Sequence, residues 1–330
     1  MIVSNDAILS APPYHIDSSI QNSLIDIAEK VGRIDAQFLG KSSPELRKQN
    51  RIKTIHSSLR IEGNTLSSEQ VTALLEDKRV IGPKRDIQEV TNAISVYDSL
   101  KTLDSKSEKD FLKAHKILMN GLIAEPGEYK KGSSGIAKGD QIAHIAPPAQ
   151  MVPGQMKDLF SYLKLNEDHN LIKAAVFHYE LEFIHPFSDG NGRMGRLWNT
   201  RILMDSYPIF EFIPFETVIS QNQEDYYNAL SESDKKGESG AFIRFMLEVL
   251  SKSLDPFLEM KEIKLSALQR IELYLESGVT QFSRSDYLKF FKNISSATAS
   301  RDLALAVSEK KIKKKGDKRL TIYTSSPRTQ

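Results

Sequence analysis

Within about a dozen residues the chain places an imidazole, a carboxylate, two glycines and two arginines, in the run Ile184-His185-Pro186-Phe187-Ser188-Asp189-Gly190-Asn191-Gly192-Arg193-Met194-Gly195-Arg196. An imidazole titrates near neutral pH, so His185 is suited to take a proton from an attacking hydroxyl. Gly190 and Gly192, with Asn191 between them, open a helix-patterned segment. There backbone N–H groups can converge on an anion with no Cβ in the way, and the helix dipole adds a favourable field. Arg193 and Arg196 stand three apart, on one helical face, and can grip further phosphate oxygens. A helix N-terminus gains nothing from arginines of its own, so their presence points to an external anion. Asp189 is the odd member of so positive a loop. It suits Mg²⁺, which takes one or two protein carboxylates and completes its shell with substrate phosphates. The run therefore offers a polyphosphate cradle, a metal ligand and a base.

A second cluster lies upstream in Ser57-Ser58-Leu59-Arg60-Ile61-Glu62-Gly63-Asn64. Ser58 and Glu62 are four apart and share a helical face. Glu62 falls in the last turn, where the dipole disfavours a negative charge by about 0.3–1 kcal/mol, and a nearby cation would relieve that cost.

These residues need a frame, and helical spacing supplies most of it. Ile20, Leu24, Ile27 and Val31 recur at that spacing, and Pro44 opens a helix running to Ile61 that Gly63-Asn64 ends. Ser67 to Gln70 offers a capped new start, and Gly82-Pro83 stops that segment. Further helical stretches run from Ile87 to Leu100, Glu108 to Leu122, Met156 to Leu165, Leu171 to Phe183, from the glycines at 190–195 to Tyr207, and over 222–260. Residues 1–20 read as an extended arm. Between Pro126 and Pro153, short alternating segments bounded by Gly and Pro predict a hairpin or flap around 133–147. The expectation is a mainly α body with one small β element. After Lys264, three short helices (Leu265–Leu275, Ser283–Phe290, Ser296–Ser308), each begun by a capping Ser, precede a Lys-rich segment and the β-rich Leu320–Thr324, which predicts a winged-helix module.

Composition closes off other chemistries. The 330 residues contain no Cys, which removes thiolate nucleophiles, disulfides and Cys-ligated metal sites. Hydrophobic residues are 40% and charged residues 27%, as in soluble globular proteins. No apolar run approaches the roughly 20 residues of a membrane span, and the first residues lack a secretory pattern, so a cytoplasmic location is expected. Net charge is only +2, so nucleic-acid contact would need a local basic patch. Gly40-Lys41-Ser42 mimics the end of a P-loop, but Asp35 stands where its first Gly belongs. None of the 7 His forms a His-Glu-x-x-His pair. His178, two turns before His185, reads as a packing or hydrogen-bonded histidine.

The run at 185–196 matches His-Pro-Phe-x-(Asp/Glu)-Gly-Asn-Gly-Arg-x-x-Arg without a departure, and the sequence resembles the Fic family from about residue 40 to 260. The resemblance implies AMP transfer from ATP to a Ser, Thr or Tyr hydroxyl of a target protein. His185 would be the base and Asp189 the Mg²⁺ ligand. Gly190, Asn191, Gly192 and Arg193 would bind the α- and β-phosphates of ATP, Arg196 would bind the γ-phosphate, and Ser188 would also contact ATP. The Gly-Asn-Gly-Arg form resembles the AMP-transferring branch and not the phosphate-transferring Doc branch, which has Lys in place of the second Gly. The hairpin would be the flap that aligns a target backbone as an added strand. In Tyr226-Tyr227, which resembles a tyrosine pair lying near adenine in some members, Tyr227 would contact ATP. Ser58, Glu62 and Gly63 match the inhibitory pattern (Ser/Thr)-x-x-x-Glu-(Gly/Asn), in which the Glu pairs with Arg196 and obstructs the γ-phosphate.

The expected division is an N-terminal helical region with the inhibitory helix at 1–110, a Fic domain at 111–260 and a winged-helix-like domain at 264–330. Expected partners are ATP and a hydroxyl-bearing target, with self-modification and a homodimer left open. Seven Lys or Arg between Lys310 and Arg319 could contact DNA phosphates. Two other readings stand beside AMP transfer: a DNA-binding regulator whose Fic body senses nucleotide without turnover, and a hydrolase that removes AMP, with Glu62 orienting a water.

Overall fold

Leu171 through Tyr179 are buried without a break in one helix, α7 (Asn170–Ile184), whose sequence has no polar stripe to offer solvent. In the computed structural model, which describes residues 12–38, 44–132, 135–138, 141–259, 265–291, 294–316 and 321–325, this helix packs most extensively on α8 (Asn191–Ser206). Between them lies the six-residue loop 185–190. Before them come α1 (Ser18–Phe38), α2 (Pro44–Ile61), α3 (Ser68–Leu75), α4 (Lys84–Ser99), α5 (Glu108–Leu118), a hairpin of β1 (Gly135–Lys138) and β2 (Gln141–Ile145), and α6 (Val152–Leu165). After them come α9 (Phe215–Gln221), α10 (Gln223–Lys236) and α11 (Gly240–Glu259).

Phe111 of α5 is the hub of an aromatic core. Phe160, Phe177, Phe187 and Trp198 surround it with ring centroids 5.1 to 5.8 Å away, three of the four edge to face. Trp198 donates to the Ser105 carbonyl at 2.9 Å. Phe187 belongs to the loop and not to a helix, so the core fastens the loop directly. The hairpin is antiparallel, with Ile136 opposite His144, a register shift after Ile136, and β2 running past α10. The flap expected at 133–147 is thus a hairpin; residues 133, 134, 139 and 140 lie outside the described residues. Of the arm, residues 1–11 also lie outside them. Pro13 accepts from the Ser239 N–H at 3.0 Å, and Tyr14 donates to Asp168.

The chain divides into two compact units, one of Met1–Val31 with Asn50–Pro256 and one of Gly32–Gln49 with Phe257–Gln330. In the second, α12 (Ala267–Glu276), α13 (Arg284–Phe290) and α14 (Ser296–Ser308) accompany a three-stranded antiparallel sheet in the order β3 (Gln281–Phe282), β5 (Ile322–Ser325), β4 (Ile312–Lys315). Ser266 and Ser283 close capping boxes with Gln269 and Asp286, and Ser295 caps α14. Ile271, Tyr274, Phe282, Tyr287, Leu303 and Ile312 form its own core. Asp302 is 2% exposed and is held by two arms of Arg270, at 2.7 and 2.8 Å, and by the Tyr287 hydroxyl at 3.2 Å. Asp317, Lys318 and Arg319, part of the Lys-rich run, lie outside the described residues. Among the described residues no helix is long and apolar enough to cross a membrane.

Candidate functional site

α7 ends at Ile184, and His185 takes the left-handed conformation beyond it, with φ of 49°. That conformation is uncommon for a residue with a side chain and turns the backbone sharply at the helix end. Its N–H still donates to the Leu181 carbonyl at 2.9 Å, so the ring is carried on the last turn of α7. Gly190 caps α8 with φ of 88°, a conformation glycine adopts without strain. Asn191 bridges the loop from within: its Oδ1 accepts from the Phe187 N–H at 2.9 Å, and its Nδ2 donates to the Phe187 carbonyl at 3.0 Å.

A cavity of about 550 Å³ opens over this loop. His185, Ser188, Asp189, Gly190, Asn191, Gly192 and Arg196 line one side, Glu62 and Glu182 another, and Tyr226, Tyr227 and Asp234 of α10 a third. Every site residue read from the sequence comes to this cavity except three. Arg193 lies behind the loop, Ser58 beneath Arg196, and Gly63 at the turn that ends α2.

Glu62 and Arg196 meet across the cavity. Arg196 is 0% exposed; its Nε donates to Ser58 Oγ at 3.0 Å, and its Nη2 donates to the Ser58 carbonyl at 3.0 Å and to Glu62 Oε1 at 2.7 Å. Its Nη1 has no hydrogen-bond partner among the described residues. Burial opposes the guanidinium charge, yet the Glu62 carboxylate, with Tyr226 and Glu182 beside it, holds its proton affinity above that of a free arginine. Glu62 follows the last residue of α2, and Gly63, with φ of 90°, turns the chain away. Gln223 of α10 donates to the Ile61 carbonyl at 2.9 Å and so fastens that end. The Glu62 carboxylate also crowds the phosphate cradle: a Cβ placed on Gly192 would stand 2.5 Å from Glu62 Oε1.

At the other end of the cradle, Asp189 Oδ1 accepts from the Gly190 N–H at 2.6 Å and from Arg193 Nη2 at 2.7 Å, while Oδ2 accepts from Arg85 Nη2 at 2.9 Å. Arg193 Nη1 turns to Glu89 at 3.2 Å. The two arginines that share a face in sequence thus part in space, one going to α4 and the other to α2.

Several members of the site went unread in the sequence. Arg85 and Glu89 come from α4. Glu89 and Asn92 are buried on the same helix as Val90, Ala93 and Val96, and a carboxylate inside an apolar stripe was the available signal. His115 accepts the Gly127 N–H on Nδ1 at 2.9 Å, so Nε2 carries the proton and donates to the Asp189 carbonyl at 3.0 Å. Burial pushes this ring down to about 4, and it stacks on Phe187 at 3.5 Å. Lys130 ties the loop to the end of α7, its N–H donating to the Pro186 carbonyl at 2.8 Å and its Nζ to the Ile184 carbonyl at 3.5 Å. Both tyrosines of the pair line the cavity, but Tyr227 is 37% exposed, whereas Tyr226 is buried and joins His178 and Glu182, both at 3.2 Å. His178 is wholly buried, and burial together with the positive Arg196 pushes it down to about 3, so it packs as a neutral ring.

The profile of the Fic/DOC family matches residues 105–203. A Fic family protein from Desulfovibrio desulfuricans G20 is similar in structure, with a TM-score of 0.74 and 38% identity, over 97% of this chain and 100% of that one. A protein adenylyltransferase Fic from Nematostella vectensis is 31% identical over 224 residues, 64% of this chain and 49% of the relative. One of the same name from Culex quinquefasciatus is 30% identical over 261 residues, 74% of this chain and 48% of the relative. The chain thus spans about half the length of these curated relatives.

Proposed function

This chain belongs to the Fic family, and from that premise we propose that it is a protein adenylyltransferase, moving AMP from ATP to a Ser, Thr or Tyr hydroxyl of a target protein. The observation that carries this reading is the convergence on one cavity of His185, the N-terminus of α8, and Arg196 held by Glu62. ATP would set its phosphates against the N–H groups at Gly190–Gly192. As the incoming hydroxyl oxygen bonds to the α-phosphorus, His185 takes its proton, the bond to the β-phosphate oxygen breaks, and pyrophosphate leaves. Tyr227 would form a wall beside adenine, and β1 and β2 would offer an edge to a target strand.

Among the described residues no group of three or more His, Cys, Asp or Glu is placed to hold a metal by itself. A single carboxylate facing a phosphate cradle suits Mg²⁺, which readily completes its shell with phosphate oxygens and water. Asp189 would hold it, and when bound it would offset charge developing on the leaving pyrophosphate. Ser58 and Glu62 would restrain the enzyme, Glu62 by claiming the Arg196 donor and by crowding Gly192, with Gly63 letting the chain turn away.

Incubation with α-labelled ATP tests the reading. Glu62→Gly should label itself or added protein more than the wild type does. His185→Ala should lose label on the order of 10²-fold or more while still binding nucleotide, because the ring acts on the hydroxyl and not on ATP. Undiminished labelling by His185→Ala would remove it from the mechanism. The second unit is read as a winged helix, supported by the order of its helices and strands. Lys313, Lys314 and Lys315 of β4 are exposed, which supports contact with DNA phosphates. A full-length gel shift whose log–log salt slope approaches −0.9 per phosphate contacted, and flattens when all three become Ala, would establish that role.

A further inference from the structure

The two oxygens of Asp189 are held by different kinds of partner. Oδ1 is bound by fixed groups: the Gly190 N–H, and Arg193, whose side chain is 4% exposed and tied to Glu89. Among the described residues, the partner given to Oδ2 is Arg85 alone. The Arg85 side chain is 58% exposed, projects from the first turn of α4, and has a second, longer contact from its Nε to Glu89 at 3.4 Å. Arg193 cannot leave Asp189 without abandoning a buried charge. Arg85 can leave into water at little cost.

We infer that Arg85 is a stand-in cation for the divalent metal: it neutralises the free oxygen of Asp189 while the metal is absent, and must be displaced from it when the metal binds. This rests on the reading of Asp189 as the metal ligand and adds a residue, outside the motif and about a hundred positions upstream, that sets how tightly the metal binds. Both cations seek the same oxygen, so their occupancies of it exclude each other. Arg85 therefore lowers the apparent metal affinity. It also keeps Asp189 from repelling phosphates in metal-free nucleotide binding. The contact to Glu89 would hold the displaced guanidinium near the cavity rim.

The test uses the full chain, ADP as the phosphate probe and Mn²⁺ as the metal, with free Mn²⁺ read by its paramagnetic resonance signal. With protein in excess over ADP, so that no free ADP chelates the metal, Arg85→Ala should bind Mn²⁺ roughly two- to five-fold more tightly than wild type, the range of a partly exposed ion pair. Arg85→Lys should fall between them. In chelator, Arg85→Ala should bind ADP more weakly by a similar factor. Asp189→Asn is the control for the underlying reading and should lose Mn²⁺ binding. If Asp189→Asn loses Mn²⁺ while Arg85→Ala binds it equally or less tightly than wild type, the role given to Arg85 is overturned and the metal assignment stands. If Asp189→Asn binds Mn²⁺ as wild type does, the metal assignment fails and the inference falls with it.

Discussion

The two units each contain an arginine–carboxylate pair with opposite burial. In the second unit the acid is the hidden member: Asp302 is 2% exposed, and Arg270 meets it with two arms while Tyr287 satisfies it again. In the first unit the base is the hidden member. Arg196 is 1% exposed in its side chain, whereas Glu62 is 31% exposed, meets it through one oxygen and faces a cavity. All three guanidinium nitrogens of Arg270 are engaged, two by Asp302 and one by the Leu265 carbonyl, so an outside anion would have to displace a buried carboxylate. On the proposed reading, an anion entering the cavity would replace Glu62. The same chemical pair is buried at its acid in one place and at its base in the other, and on the proposed reading that makes the first a fastening and the second an exchangeable contact.

The largest effect should come from breaking the fastening. Arg270→Ala leaves a buried carboxylate without its cation and should cost about 3–5 kcal/mol. Trp198 is the single tryptophan and lies in the first unit. The loss should therefore appear in denaturant unfolding followed by far-UV ellipticity, with little change in the Trp198 fluorescence transition. A loss under about 1 kcal/mol would mean that this pair is no firmer than a surface one.

Glu62→Gly should cost less, about 1 kcal/mol, because Ser58 still meets Arg196 twice and water can enter from the cavity. ATP should raise the melting temperature of this variant more than that of the wild type, since its phosphates fill the place Glu62 leaves. An equal shift in both would count against exchange at Arg196.

His178 provides a smaller, pH-resolved test of the charge on Arg196. Burial and that charge hold the ring at about 3, below its ordinary 6.5. The unfolded chain then binds the extra proton between these values, so this contribution to stability is lost as pH falls from about 6.5 towards 3. The slope is at most about 1.4 kcal/mol per pH unit. Glu216, pushed up to about 8 by burial, acts in the opposite sense, so the comparison is made between wild type and His178→Gln. The wild type's stability relative to that variant should fall across the acid range. A constant difference would show that the ring is not held neutral.

The motif was legible because its chemistry is contiguous: one loop and one helix start carry His185, Asp189, the glycines and both arginines. The four-residue spacing of Ser58 and Glu62 gave a shared helical face, the resemblance to the family's inhibitory pattern gave Arg196 as the partner, and both do meet it. The capping serines marked the helices of the second unit, and short polar–apolar alternation bounded by Gly and Pro marked the hairpin. What spacing could not convey was the destination of each arginine. Arg193 looked free for an external anion, yet Asp189 and Glu89 engage it, and Glu89 is 104 positions away. Arg85 and His115 were equally silent, because each enters the site through a tertiary contact that no local pattern encodes. Tyr227, read as the ATP contact, does line the cavity, and the turn of α10 buries Tyr226 at the same wall.

Glu62 belongs to the same folded body as Arg196, with its helix end fastened through Gln223 to the Ile61 carbonyl. A group held this way meets its partner at an effective concentration that dilution cannot change and that dissolved nucleotide must match to displace it. Raising ATP is therefore a weak means of relieving the contact. Shifting the end of α2, through anything that loosens Gln223 from it or draws Glu62 elsewhere, lowers that effective concentration at a stroke. On the proposed reading, the sensitivity of this protein to its surroundings would reside in how firmly one helix end is held, more than in how much substrate is present.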